Sequence, residues 1–471
     1  MNVMLLRLRE GARSTLVVYA ACVAVASALL YAIPFSRVPF ALVDLHRVLL
    51  EAQTWWWTAT IYRAFTAGVE YRPLFTIVVK AMYSVAGLHL WFYKFFVLAQ
   101  FAAIQLVFLL ILQPASRARA FAAGVALLCL LGLPSTRILF SFFPLNHHSL
   151  SILIVLTTAW LALRDDRQFD WVIPPLAFAG MFLIEFGLLT PLIITVLRLW
   201  RARGASQRAT LGTWVALGVY LSVRFTIGNQ EELGLTHGET GLGFSQATPE
   251  DLENIFEHAP YLFWIYNVIA NIGAVVAAEP RAGIYAFLYS LMRGVTEPWQ
   301  WLQVISSVST TALVVVWCRS DTGTRDRQVA ALGVALMVFG GGLGAFYARD
   351  RIGLPVGIGY AVLFYLALAR LAESPIAGAL KRVPVQVVVV GLVAAWAVRD
   401  VELWYQVKDT AWERHIEWTD RFEDLGGKQY EGEPLMEQMR SQALRMTPSQ
   451  PRDPEWTWRW LERRRRPRPP S

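Results

Sequence analysis

TLVVYAACVAVASALLYAI, residues Thr15–Ile33, is an uncharged run bracketed by Arg7, Arg9 and Arg13 on one side and Pro34 on the other. A helix needs roughly 20 such residues to cross the ~30 Å hydrocarbon core of a bilayer. The run is longer than the ~7–15 residue core of a signal peptide, so it reads as an uncleaved first span. Comparable apolar stretches recur at Leu74–Gln113, Thr210–Gly228, Trp299–Trp317 and Gly353–Ala369. The whole 471-residue chain is 55% hydrophobic and 17% charged, well under the ~25% charged residues of soluble domains. Backbone polar groups in lipid must be satisfied within the segment, and no alternating pattern suggests a barrel, so the runs are helices. The expected fold is an all-α polytopic membrane protein with about 11 to 13 transmembrane helices.

The net charge of +8 is spread in short basic clusters between apolar runs, which excludes a soluble nucleic-acid binder and fits cytoplasmic loops. Cys22, Cys129 and Cys318 all lie in apolar segments, against a disulfide framework or zinc site. The basic clusters serve as tie points. Residues 1–14 are expected in the cytoplasm, together with Arg117/Arg119, Arg164/Arg167, Arg198–Arg208, Arg319–Arg327 and Arg370–Arg382. The loop Asn229–Ala259 holds seven acidic residues and no Lys or Arg, so 229–259 is expected outside. Residues 34–73 form the first outer loop, 15–398 the membrane domain, and 399–471 a polar tail expected outside, with a helix near Val401–Leu425 and a disordered Pro-rich end. The expected location is the cytoplasmic membrane, N-terminus inside.

Two stretches resist simple counting. Leu74–Gln113 must begin outside and end inside, yet ~60 Å of helix exceeds one span; either Leu74–Leu88 is partial or re-entrant, or Arg117 lies outside. Tyr261–Pro298 must cross zero or two times. Asn267, Asn271, Glu279 and Arg293 make it a poor lipid-facing pair, which favours amphipathic helices along the outer surface.

Candidate chemistry gathers on the outer side. Ala41–Phe65 reads as one amphipathic helix, with Leu42, Leu45, Leu49, Ala52 and Trp56 as its apolar stripe and Asp44, Arg47, Glu51 and Thr54 opposite. Its plainer reading is an interfacial helix anchored by Trp55, Trp56 and Trp57; the sharper one makes Asp44 a carboxylate base facing an outer cavity. Glu70-Tyr71-Arg72-Pro73-Leu74 opens the next apolar segment. Proline suits a first helical turn, and Arg72 is either a phosphate contact or a snorkelling partner of Glu70. His147 and His148, after Asn146, are a weak metal signal, because adjacent histidines diverge on a helix; packing is the better reading.

Glu185 is the stronger signal. Trp171–Trp200 lies between two basic clusters, so as a hairpin each arm has only ~14 residues, ~21 Å against ~30 Å. Glu185-Phe186-Gly187 is then a sunken tip, and a carboxylate at that depth is a functional-site candidate lining a wet cavity. The alternative is that this stretch never crosses. Arg349, Asp350 and Arg351 put excess charge on an outward connection, as an anionic-headgroup contact or an ordinary surface pair.

These features resemble the GT-C membrane glycosyltransferases, the group of the protein O-mannosyltransferases and lipid A aminoarabinose transferases. That group has a cytoplasmic N-terminus, an acidic first outer loop and an Arg/Lys-Pro-Leu lead-in to the next helix, here Arg72-Pro73-Leu74, with Val85-Ala86-Gly87-Leu88-His89 at a glycine break. Its Lys/Glu-Gly hairpin with a trailing proline is similar to Ile184-Glu185-Phe186-Gly187 with Pro191, and its late Arg-x-x-Leu-Pro start to Arg351-Ile352-Gly353-Leu354-Pro355. The likeness covers roughly Thr15–Ala372 and rests on short motifs. It implies inverting transfer of a sugar from a polyprenyl-phosphate donor to an envelope acceptor on the outer face. Asp44 would be the base, Arg72, Arg349 and Arg351 donor-phosphate contacts, and Glu185 an orienting catalytic group. Glu51, Glu70, His147 and His148 would line the cavity.

The sequence departs from that pattern where many relatives carry two adjacent acidic residues, because Leu45 follows Asp44. Some have an aspartate where Asn146-His147 stands. A divalent metal is therefore an open element, and no other cofactor is implied. Two rival readings stand beside the enzyme: a non-catalytic membrane subunit on the same scaffold that engages a membrane-protein partner, and a lipid-linked-sugar transporter. No internal repeat supports the latter.

Overall fold

The computed structural model describes residues 2–42, 46–66, 72–141, 146–164, 166–226, 260–276, 298–317, 323–345, 353–373, 383–425, 427–446 and a few single positions between and after them. Every regular element among these is helical. Four helices are long and apolar enough to cross a membrane. They fall within α1 (Asn2–Phe35), α5 (Leu90–Leu112), α13 (Pro298–Trp317) and α15 (Leu354–Glu373). A fifth is obtained if α6 (Arg117–Leu131) and the bent 3₁₀/α7 segment after it (Pro134–Arg137, then Ile138–Ser141) count as one span, broken by 69°. The remaining long elements are α8 (His147–Ala162), α11 (Gln207–Thr226), α12 (Pro260–Val276), α14 (Thr324–Leu343) and α16 (Val383–Trp418).

A buried arginine accounts for the bend. Gly132 ends α6, and its carbonyl accepts from Arg399 Nε at 3.2 Å. Arg399 is buried, donates to Ser306 Oγ (2.8 Å) and Ser307 Oγ (2.9 Å) on α13, and stacks 3.9 Å from the Trp396 ring. A cation inside an apolar bundle is tolerable only when its donors are satisfied. The glycine matters too: a Cβ there would sit 2.9 Å from Arg399 Cβ.

Polar contacts tie the basic loops together at one end. Arg119 grips Asp326 at 2.9 and 3.0 Å and Glu373 at 2.8 and 3.0 Å. Arg325 donates to the carbonyls of Leu163 and Ile111, and Gln328 to that of Trp200 at 3.3 Å. The loops after α5, α8 and α10 (Leu189–Leu199) thus meet the starts of α6 and α14 and the end of α15, as the tie-point argument requires.

The other end carries the first loop. The expected single helix 41–65 is two: α2 (His46–Thr54) and α3 (Trp57–Thr66). Lys80 explains the break, donating its ammonium to the carbonyls of Ala52 (2.6 Å) and Trp55 (2.7 Å) and so satisfying the end of α2 from outside. Leu42, Leu49 and Ala52 are buried as expected, but beyond the break Trp56 is 84% exposed and leaves the stripe. Lys80 lies on α4 (Pro73–Ala86), a 14-residue helix, hence ~21 Å long and too short to cross. The chain turns at Gly87, whose φ of 53° suits glycine, and α5 then runs to the basic end. The stretch is thus divided into a short apolar helix and one, α5, that is long and apolar enough to cross a membrane.

In α12, Asn267 and Asn271 are buried and donate to the carbonyls of Ala345 (2.9 Å) and Gly344 (3.2 Å) beyond α14, while Ile265 and Ile269 are exposed. The asparagines turn inward and these isoleucines turn out.

The tail differs most from expectation. The helix expected near 401–425 is the second half of a single 36-residue helix, α16, ending at Trp418, and α17 (Pro434–Arg445) follows. α16 runs alongside α1 in the same direction: Trp404 Nε1 donates to Leu30 O (3.3 Å), Tyr31 to Asp400, the Leu42 amide to Glu417 (3.0 Å), and Trp418 Nε1 to Phe40 O (2.6 Å). Gln442 reaches Leu88 O at 3.3 Å. The tail therefore emerges at the same end as the first loop. Single cysteines placed at Gln442 and His89 should react with an impermeant thiol reagent from one side of sealed vesicles, and those at Arg117 and Arg203 from the other. Opposite labelling of Gln442 and His89 contradicts this packing.

Candidate functional site

The stretch 171–200 is a hairpin of two short arms, α9 (Ile173–Met181) and α10 (Leu189–Leu199), joined by a 3₁₀ turn at Glu185–Leu188. Nine and eleven residues give arms of ~14 and ~17 Å, about half a bilayer core. Two glycines close the tip. A Cβ on Gly187 would lie 2.2 Å from the backbone of Gly180 and Met181, so the returning chain touches the outgoing one directly. Ser151 on α8 donates to the Gly180 carbonyl at 3.3 Å.

Three other elements bring side chains to this tip. Pro73 occupies the first turn of α4, as its sequence suggested, and Arg72 stands at the cap position. The Leu74 amide donates to Phe182 O at 3.0 Å, pinning the start of α4 to the hairpin. Asn146 caps α8, its side-chain oxygen accepting from Ser149 N at 3.1 Å. This fixes His147 and His148 in the first turn. From α11 come Tyr220 and Arg224, one turn apart, with Arg224 donating to the tyrosine hydroxyl.

Glu185 lies between two guanidinium groups. One oxygen is 3.9 Å from Arg72 Nη2, the other 3.5 Å from Arg224 Nη1. Arg72 Nη1 also lies 3.3 Å from His147 Nε2. A guanidinium only donates, so Nε2 is the acceptor in that contact. Beneath these charges a ring column runs from α4 through α8 to the tip: Phe75 on His147 (4.6 Å), His147 on His148 (4.2 Å), His148 on Phe186 (5.4 Å). Both histidines are buried. Phe182 packs edge-on against Tyr220 at 5.2 Å, joining α11 to the same body.

The charged groups are not sealed in. Glu185 is 40% exposed, Arg72 21% and Arg224 25%. A small anion approaching from that side meets two guanidinium forks already oriented by the carboxylate between them, a geometry suited to phosphate. No group of three or more His, Cys, Asp or Glu among the described residues has the arrangement to hold a metal ion. His147 and His148 pack in the ring column, and His147 makes a polar contact with Arg72.

Of the residues singled out in the sequence, Arg72, Glu185, His147 and His148 come together. Glu51 is half-buried on α2, which packs on α4. Asp44, Glu70, Arg349 and Arg351 lie outside the described residues. Sequence reasoning missed Arg224 and Tyr220. The signal was present: an arginine inside the apolar run Thr210–Gly228, one turn after a tyrosine, is an intramembrane charge that needs a partner.

Compared with protein-family models, characterised proteins and solved structures, the chain matches none.

The glycine contact gives a direct test of the hairpin. Gly187→Ala puts a methyl into backbone and should destabilise the protein by about 2 kcal/mol or more, read as a lowered unfolding midpoint in detergent. Gly124→Ala, inside α6 where a Cβ meets nothing within 4 Å, should leave it unchanged or slightly raised. Equal midpoints for both variants contradict the closed tip.

Proposed function

We propose that the chain is a membrane glycosyltransferase of the GT-C type, transferring a sugar from a polyprenyl-phosphate donor to an acceptor on the outer face of the cytoplasmic membrane. One observation carries this reading: the tip of a short helical hairpin presents a carboxylate between two arginines, partly open to solvent. On this reading α8 and α11 also cross, and the full chain makes about 11 crossings with its N-terminus inside.

The chemistry follows from the groups. The acceptor's nucleophilic oxygen attacks the anomeric carbon from the face opposite the leaving group, and the bond from that carbon to the phosphate oxygen breaks. Negative charge grows on the departing polyprenyl phosphate, which Arg72 and Arg224 neutralise at fixed positions. Arg349 and Arg351 are further candidates for the same phosphate. The acceptor's proton passes to a carboxylate, for which Asp44 in the first loop is the candidate base. Glu185 faces an arginine with each oxygen, so its part is to hold the two cations apart and oriented. It is a positioning residue in this scheme. Glu51 and Glu70 are further candidates for the cavity on this reading, and a divalent metal is not needed to balance the step.

The experiment is an assay of purified full-length protein in lipid with a panel of radiolabelled polyprenyl-phosphate sugars, scoring sugar release and transfer to a membrane acceptor fraction. Wild type should turn over at least one donor. Asp44→Asn should lose about 100-fold or more in turnover with donor binding kept. Arg72→Gln and Arg224→Gln should each cost about 100-fold in kcat/KM. Absence of turnover by folded, monodisperse wild type with every donor overturns the enzyme reading and favours a non-catalytic subunit on this scaffold. Movement of the donor across vesicles without covalent product favours a transporter.

A further inference from the structure

A second basic site lies away from the hairpin, where α1 ends against α16. A cavity of about 270 Å³ opens there. Its inner wall is apolar, made by Ile33 and Pro34 from the last turn of α1 and Trp404 from α16. Its cations are Arg37, just past α1, and Lys408, one turn beyond Trp404, while Pro448 of the tail closes one side.

The position of this cavity narrows its occupant. Ile33 is the last residue of the first apolar run and is 63% exposed, so it faces acyl chains. Arg37 lies one turn further out, and Trp404, the residue type that collects at membrane–water boundaries, has its indole fixed on Leu30 O at 3.3 Å. The Lys408 ammonium lies 5.7 Å from the Tyr405 ring, which leans it along the helix surface. Apolar wall, aromatic rim and two cations thus follow one another in the order a phospholipid offers acyl chain, glycerol and phosphate.

We propose that this cavity binds the phosphate headgroup of an anionic phospholipid from the leaflet at the first-loop end. Arg37 and Lys408 hold the phosphate, and the first acyl carbons lie along Ile33 and Trp404. Two basic residues near a membrane surface are each worth about fivefold in anionic-lipid affinity. The lipid would bridge α1 to α16 about two to three helical turns before the contacts of Glu417 and Trp418 with the first loop. The site is separate from the hairpin and does not depend on the transferase reading.

The test is native mass spectrometry of full-length protein from detergent, titrated with phosphatidylglycerol, with phosphatidylcholine and, in a third arm, with phosphatidylglycerol in the presence of excess inorganic phosphate. Wild type should retain one phosphatidylglycerol per chain, about tenfold more tightly than phosphatidylcholine and without displacement by phosphate. Arg37→Gln/Lys408→Gln should weaken that retention about 30-fold, while Arg37→Lys/Lys408→Arg keeps it within a few-fold and controls for folding. Equal retention of the two lipids, full displacement by inorganic phosphate, or unchanged retention in the charge-neutralised variant each overturns the proposal.

Discussion

One carboxylate held between two guanidinium groups organises this molecule. Glu185 sits at the turn of a hairpin too short to cross, and it faces Arg72 of α4 and Arg224 of α11 with different oxygens. The contacts are long for ion pairs and half open, so their net contribution to stability is modest. What they fix is position. Charges at that depth need partners, and satisfying one carboxylate with two arginines brings three otherwise separate elements to one point. The Gly180–Gly187 contact and the ring column from Phe75 to Phe186 supply the packing that lets the tip sit there.

The rest of the bundle repeats the same logic at other depths. Arg399 bends α6 by taking the Gly132 carbonyl, and Lys80 ends α2 by taking the carbonyls of Ala52 and, just past the helix, Trp55. Arg119 locks the basic end through two carboxylates. In each case a long cation reaches a backbone or carboxylate group, as expected where water is scarce. α16 then carries the order of the bundle beyond the apolar layer and lays the tail along the first loop, so the loop's Phe40–Leu42 segment is held by the chain's own C-terminal part.

Much of this was legible in the sequence. The basic clusters and the length needed to cross a bilayer pointed to 171–200 as a short hairpin with Glu185 at its tip, and to 74–113 as too long for one span. Pro73 marked the start of α4. Other features were hidden because they depend on residues far away in the chain. Nothing local in 41–65 forecasts a break that Lys80 imposes from 25 residues on. The charges at Arg399 and Asp400 suggest by composition that a span has ended, yet the helix continues because Arg399 finds α6 and α13 and Asp400 finds Tyr31. Arg224 announced that it needed a partner, but only the packing of α11 on α9 and α10 named Glu185.

The most direct test of the central arrangement is a double-mutant cycle on the Glu185–Arg224 pair, with Arg72 as the second cycle. Unfolding free energies would be measured in one detergent for Glu185→Gln, Arg224→Gln, Arg72→Gln and the two corresponding double variants. The arrangement requires that once Glu185 is neutral, removing either arginine's charge costs less than it does in wild type, with a coupling energy of about 0.5–1 kcal/mol or more in each cycle. Effects that simply add in both cycles, within about 0.3 kcal/mol, would mean that Glu185 does not join the two arginines, and the account of the site would fail with it.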